Sequence, residues 1–152
     1  MVQATGTRPV AVGSRDAEKA KEFGQRFDAA PYGSYEEVLA YPEVEAVYIA
    51  LPARFHAEWV ERALEAGKHV LGEKPLTDSS ARTDALFDLA AGRGLVLVEN
   101  FAFTGHPQLR RMRRLVADGA VGEVRHVAAT FAFPPKPDDD IRYRDEVGGG
   151  AL

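Results

Sequence analysis

Residues 69–76 read HVLGEKPL, a short strand-like run that ends by presenting Glu73, Lys74 and Pro75 together. A lysine ammonium beside a substrate oxygen can hold that oxygen and exchange a proton with it, provided burial brings its pKa down from about 10.4 towards neutrality. Pro75 fixes the backbone so that the ammonium does not swing away, and a cis bond is open to an X-Pro pair. The competing reading is a solvated ion pair at a turn, and an isolated Glu-Lys-Pro does not decide between the two.

Three other apolar runs end in comparable fashion, at Gly13-Ser14-Arg15, Leu51-Pro52 and Glu99-Asn100. If the runs are parallel strands, all four ends share the sheet edge at which open α/β folds bind ligands. Leu51 and Pro52 then belong to a cofactor crevice, and Asn100 with Phe101 stands within reach of a cofactor or substrate. An NAD-binding sheet places Asp or Glu at the end of its second strand for the ribose 2′-hydroxyl, whereas arginine accommodates the 2′-phosphate of NADP. Here Ser14 holds the acidic position, Arg15 follows, and Lys19 lies one helical turn on. Hydroxyl and guanidinium suit a phosphate, so NADP is the expected cofactor and NAD the alternative. Ser14 also reads as a helix N-cap, and both roles fit one helix N-terminus.

The remaining candidates carry less chemistry. His106, before Pro107, reads as a cap or a substrate contact, while His69 and His126 read as packing or surface residues. The four histidines lack an H-x-x-x-H spacing with a nearby carboxylate, so zinc is not expected. Arg110, Arg111, Arg113 and Arg114 point to several faces of one helix, which is the pattern of a solvated surface.

Positioning these residues requires a sheet. Pro9–Val12, 46–51, 69–71 and 95–98 read as strands. Between them, Ala20, Phe23 and Phe27 recur at helical spacing. Val60, Ala63 and Leu64 mark one face of a helix from about His56 that stops at Gly67, and Ala85, Leu86, Leu89 and Ala90 mark the inner face of a helix over 77–91. A further helix is predicted over 108–117 and a longer strand over 124–133. Apolar strands separated by helices indicate an α/β, doubly wound parallel sheet. Residues 1–122 are expected to form a partial dinucleotide-binding Rossmann domain, and 123–152 the opening of a substrate domain.

Size and composition bound the function. The chain has 152 residues, 45% hydrophobic and 28% charged, with a net charge of -4 and no cysteine. That balance gives no electrostatic basis for a nucleic-acid or anionic-membrane partner. No apolar run approaches the roughly 20 residues that span a bilayer, and residues 1–8 lack the layout of a signal peptide. A cytoplasmic protein is expected. No G-x-G-x-x-G turn occurs: Gly92-Arg93-Gly94 precedes a strand and Gly148-Gly149-Gly150 follows a loop. The first residues therefore read as the second strand of a dinucleotide-binding fold, and both ends read as cut.

The stretch YGSYEEVLAYPEVEAVYIALPARFHAEWVERALEAGKHVLGEKPL resembles the glucose–fructose oxidoreductase and inositol dehydrogenase (Gfo/Idh/MocA) family. The likeness continues through ENFAFTGHPQLRRMRRLVADGAVGEV to GGGAL. The resemblance implies an N-terminal Rossmann domain, a C-terminal α/β domain and nicotinamide-dependent redox chemistry on sugars and polyols. It matches Lys74 to the catalytic lysine, Glu73 to a cofactor-contacting acid and His56 to the histidine of a P-x-x-x-H segment near the cofactor. The family often has asparagine directly after that proline; Ala53 stands there here. The implied activity is NADP-dependent hydride transfer with a sugar or nucleotide sugar, in a whole protein that forms a homo-oligomer and carries its partner acid, a tyrosine or histidine, downstream. The segment FAFPPKPDDDIRYRDEVGGGAL is similar to nucleotide-sugar 3-ketoreductases and also to dihydrodiol and xylose dehydrogenases. The alternative expectation is a non-catalytic truncated fragment.

Overall fold

The computed structural model describes residues 7–29 and 32–148. Residues 149–152, which hold most of the GGGAL stretch, and residues 1–6 lie outside the described residues. The strands are β1 (Val12–Gly13), β2 (Tyr32–Gly33), β3 (Ala46–Ile49), β4 (His69–Glu73) and β5 (Leu97–Asn100). The α-helices are α1 (Ala17–Phe27), α2 (Tyr35–Ala40), α3 (His56–Glu65), α4 (Ser80–Gly92) and α5 (Pro107–Ala117). Every strand pairing is parallel, as an α/β alternation requires.

The pairings form two sheets, β1-β2 and β3-β4-β5. Gly13 of β1 and Val47, Ile49 and Leu51 of the β3 segment line one cavity of about 200 Å³ between them. Among the described residues no strand hydrogen-bonds across that space. The doubly wound sheet is thus present as two half-sheets.

The core lies between one face of β3-β4-β5 and the helices α3 and α4. Val60, Ala63 and Leu64 of α3 are fully buried against Ile49, Val70, Leu76 and Leu97, with Leu86 and Ala90 of α4 completing the cluster. Burial of side chains of this size contributes about 1.5–3 kcal/mol each before the entropic cost of ordering them. The helix α3 stops at Gly67, whose φ of 75° is the left-handed conformation that glycine adopts without a Cβ penalty. Its N–H donates to Leu64 O and that of Lys68 to Ala63 O, which satisfies carbonyls the helix leaves open.

Several sequence expectations are corrected. The strand expected over 124–133 does not form: those residues are exposed and carry no strand. Strands persist by pairing, and among the described residues none pairs with this segment. Ala85 of α4 is exposed and Leu89 only half-buried, so the inner face is carried by Leu86 and Ala90. Ser14 is not the cap of α1. Asp16 is, accepting from the Glu18 and Lys19 N–H groups at 3.0 and 3.2 Å. A carboxylate two residues later sits where the orphan amides point, and Ser14 Oγ instead accepts from Asp16 N–H at 3.2 Å. The helix α2 and strand β2 were not anticipated. The capping box that starts α2 is complete, with Glu37 N–H donating to Ser34 Oγ and Ser34 N–H to the Glu37 carboxylate.

Candidate active site

Parallel pairing brings the C-terminal ends of β3, β4 and β5 to one edge. The register aligns Tyr48 with Leu71 and Glu73 with Asn100. Side chains alternate faces along a strand, so Tyr48, Glu73 and Asn100 emerge on the same face, opposite the α3–α4 core. There they converge. Tyr48 Oη donates to Glu73 Oε1 at 2.6 Å, and Asn100 Nδ2 donates to the same oxygen at 2.6 Å. The other carboxylate oxygen accepts from Lys74 N–H at 3.3 Å.

The electrostatics follow from these contacts. Burial works against the Glu73 carboxylate, but hydrogen bonds from Tyr48, Asn100 and the Lys74 amide, with the nearby ammonium, outweigh it and hold its pKa below the ordinary value. Burial and the adjacent carboxylate push the Tyr48 phenol up to about 12. Glu73 is a fixed anion held by a neutral phenol and an amide.

Lys74 follows directly, on a cis peptide bond to Pro75. It is exposed, and among the described residues its ammonium has no hydrogen-bond or ion-pair partner. The burial that the sequence reading required around the lysine is therefore not supplied by the described residues.

A second group of predicted residues meets one strand away. Ser14, Arg15, Leu51 and Pro52 line a single cavity of about 270 Å³, together with Phe55 and Trp59. The Arg15 guanidinium lies 5.9 Å from the centre of the Phe55 ring. Glu36 and Glu58 also border this cavity, and Arg62 pairs with both at 3.1 and 3.2 Å, which offsets their charge.

The structure separates other predicted residues from that cavity. Lys19 is exposed on α1, one turn beyond Arg15. Glu73 and Asn100 belong to the Tyr48 cluster. His56 is 1% exposed, with Nδ1 2.6 Å from Pro75 O and Nε2 2.6 Å from Leu51 O, so both ring nitrogens are engaged by the backbone. His106 caps α5, its Nδ1 accepting from Gln108 N–H at 3.2 Å. Sequence reasoning missed Tyr48, Phe55 and Trp59. Tyr48 sits inside an apolar strand, and only the register with β4 reveals its reach to Glu73. Among the described residues no group of three His, Cys, Asp or Glu side chains could hold a metal ion, and no helix is long and apolar enough to cross a membrane.

Comparison with known proteins defines the class. Residues 1–101 match the oxidoreductase family with an NAD-binding Rossmann fold, and residues 109–152 match the GFO/IDH/MocA C-terminal domain. The chain belongs to the GFO/IDH/MocA oxidoreductase family. It is 50% identical over 146 residues to a dTDP-3,4-didehydro-2,6-dideoxy-alpha-D-glucose 3-reductase of Actinomadura kijaniata, covering 96% of this chain and 44% of that protein. It is 40% identical to a D-xylose 1-dehydrogenase (NADP(+)) of Haloferax volcanii, covering 99% of this chain and 47% of the relative. Among solved structures, KijD10, a 3-ketoreductase from Actinomadura kijaniata in complex with NADP and TDP-benzene, superposes with a TM-score of 0.89 at 50% identity, covering 96% of this chain and 45% of that one. The chain spans less than half the length of these relatives.

Proposed function

We propose that this chain is the cofactor-binding part of an NADP-dependent oxidoreductase that exchanges a hydride with a carbonyl or hydroxyl carbon of a nucleotide-linked sugar. One observation carries the reading. Ser14 and Arg15 share a cavity with Leu51 and Pro52 at the C-terminal edge of parallel strands, and Lys74 presents an exposed ammonium, without a hydrogen-bond partner among the described residues, at the neighbouring strand end. The 50% identity to a dTDP-sugar 3-reductase supports the substrate class.

The residues present fit NADP. A hydroxyl and a guanidinium stand where an NAD site places a carboxylate, and Arg62, paired with both acids at the cavity rim, offsets one of their two negative charges. Ser14 and Arg15 would hold the 2′-phosphate, with Lys19 adding positive charge one turn away. Leu51 and Pro52 would form an apolar wall of the cofactor crevice. NADP(H) supplies the redox-active ring, which no side chain can replace. Lys74 Nζ would donate to the substrate oxygen, and would exchange a proton with it once cofactor, substrate and the rest of the protein bury the ammonium. Glu73 keeps a negative charge beside that ammonium, fixed in place by Tyr48 and Asn100. The partner acid belongs to the substrate domain, whose start we place at residue 123, after the α5 helix and its turn. A homo-oligomeric whole protein and a cytoplasmic location, which suits the absence of cysteine, belong to the same proposal.

The test is an assay of the whole protein with a TDP-linked 3-keto sugar and each reduced cofactor. Consumption of NADPH in preference to NADH supports the reading. No consumption of NADPH or NADH with keto sugars, together with no reduction of NADP+ or NAD+ by D-xylose or dihydrodiols, would overturn it.

A further inference from the structure

The peptide bond that follows Pro75 is held on both of its polar sides by side chains from different elements. Its carbonyl, Pro75 O, lies 2.6 Å from His56 Nδ1 at the start of α3. Its amide, Leu76 N–H, donates to Glu99 Oε1 of β5 at 2.8 Å. We infer that His56 and Glu99 are positioning residues that clamp the Pro75–Leu76 peptide and thereby fix the backbone from which Lys74 projects. The catalytic consequence rests on the role proposed for Lys74; the clamp itself does not.

The clamp is built from the sheet outward. Glu99 stands opposite Gly72 in the β4–β5 register, on the α3 face, while Asn100, one residue on, faces the other way and binds Glu73. A single strand end thus serves both sides of the Glu73–Leu76 turn. Gly72 leaves room for the chain to fold back: a Cβ there would stand 2.6 Å from Leu76 Cδ1. Leu76 is 1% exposed and anchors the turn in the core. His56 ties the turn to β3 as well, since its Nε2 lies 2.6 Å from Leu51 O. Carbonyl oxygens only accept, so the clamp places the ring proton on Nδ1, which donates to Pro75 O, and Nε2 donates to Leu51 O as well only when the ring carries two protons.

Lys74 is therefore held from two directions. Its own N–H donates to Glu73 Oε2, and the peptide beyond Pro75 is fixed by His56 and Glu99. Only its side chain remains free to move. Holding a reacting group in place is worth much of a rate enhancement, and a displacement of about 1 Å can cost about a hundredfold.

Glu99→Gln keeps an acceptor oxygen for Leu76 N–H, whereas Glu99→Leu matches the size without one. Hydrogen exchange of the whole protein should show the Leu76 amide equally protected in wild type and Glu99→Gln, and about tenfold faster in Glu99→Leu. The Ala63 and Leu64 amides should be unchanged in all three. In the whole protein Glu99→Leu and His56→Ala should each lower kcat about tenfold or more with KM for NADPH nearly unchanged, and Glu99→Gln should restore kcat. An unaltered Leu76 exchange rate in Glu99→Leu overturns the clamp. Faster exchange with unaltered kcat overturns its positioning role. An inactive wild type with the expected exchange pattern refutes the reductase reading while supporting the clamp.

Discussion

The Tyr48 hydroxyl and the Glu73 carboxylate, 25 residues apart in sequence, meet at 2.6 Å on the face of the sheet opposite the core. The contact joins the end of β3 to the end of β4, and Asn100 extends it to β5. It couples the protonation of both groups to folding, in opposite directions. The Glu73 pKa is lowered by folding, so its stabilisation is present above its ordinary value of 4.5 and is lost as pH falls through the folded value. The Tyr48 pKa is raised to about 12, so its stabilisation is fully present below 10.0 and is lost as pH rises from there through about 12.

In an absorbance titration of phenolate formation, the difference between wild type and Tyr48→Phe should be a phenol titrating near 12, above the ordinary 10.0. Thermal unfolding followed from neutrality to well below pH 4.5 should show an acid loss in wild type that is smaller in Glu73→Gln. A Tyr48 difference titration centred near 10 would contradict the contact.

Gly72→Ala places a methyl group 2.6 Å from Leu76 Cδ1, and Leu76 is too deeply buried to retreat freely. The substitution should cost about 1–3 kcal/mol as overpacking, read by urea denaturation. Gly92→Ala, where a Cβ meets nothing within 4 Å, serves as the control and should not destabilise comparably. Equal midpoints for wild type and Gly72→Ala would contradict the packing.

Ser14→Asp with Arg15→Ala in the whole protein should shift preference from NADP towards NAD, because a carboxylate repels the 2′-phosphate and accepts from the ribose 2′-hydroxyl. Titration of both cofactors against wild type and variant decides this. Tighter binding of NAD than of NADP by the unmodified protein would oppose the assignment.

The 152-residue chain by itself should bind NADPH poorly and self-associate. At α1 the amides that could meet a phosphate are taken by Asp16, and no glycine-rich turn supplies others among the described residues. The edges of β1 and β3 facing the cavity between the half-sheets are unpaired among the described residues, and Tyr48 and Val98 are 51% and 45% exposed on the open face. Such edges and faces favour association. Calorimetric titration and light scattering test this together. A monomer binding NADPH stoichiometrically at micromolar affinity would contradict it.

What the sequence made legible was whatever rests on periodicity. The face Val60–Ala63–Leu64 and the stop at Gly67 recur in the structure because a buried helix face and a left-handed glycine leave local signatures. The gathering of Ser14, Arg15, Leu51 and Pro52 followed from the rule for parallel strand ends. The strand over 124–133 failed because strand-like composition does not provide a partner. The Tyr48–Glu73 contact and the grip of His56 and Glu99 on one peptide were hidden because they depend on strand register and on a chain reversal over Gly72. Ser14 and Asp16 both have cap-forming side chains, and only backbone geometry chose Asp16.

The proposed chemistry centres on Lys74, and its most direct measurement is single-turnover reduction of a TDP-linked 3-keto sugar by the whole protein carrying Lys74→Ala, alongside its NADPH dissociation constant. The rate should fall by a hundredfold or more, on the order of 3 kcal/mol of lost transition-state stabilisation, with cofactor affinity little changed. A Lys74→Ala protein that reduces the sugar at nearly the wild-type rate would contradict it.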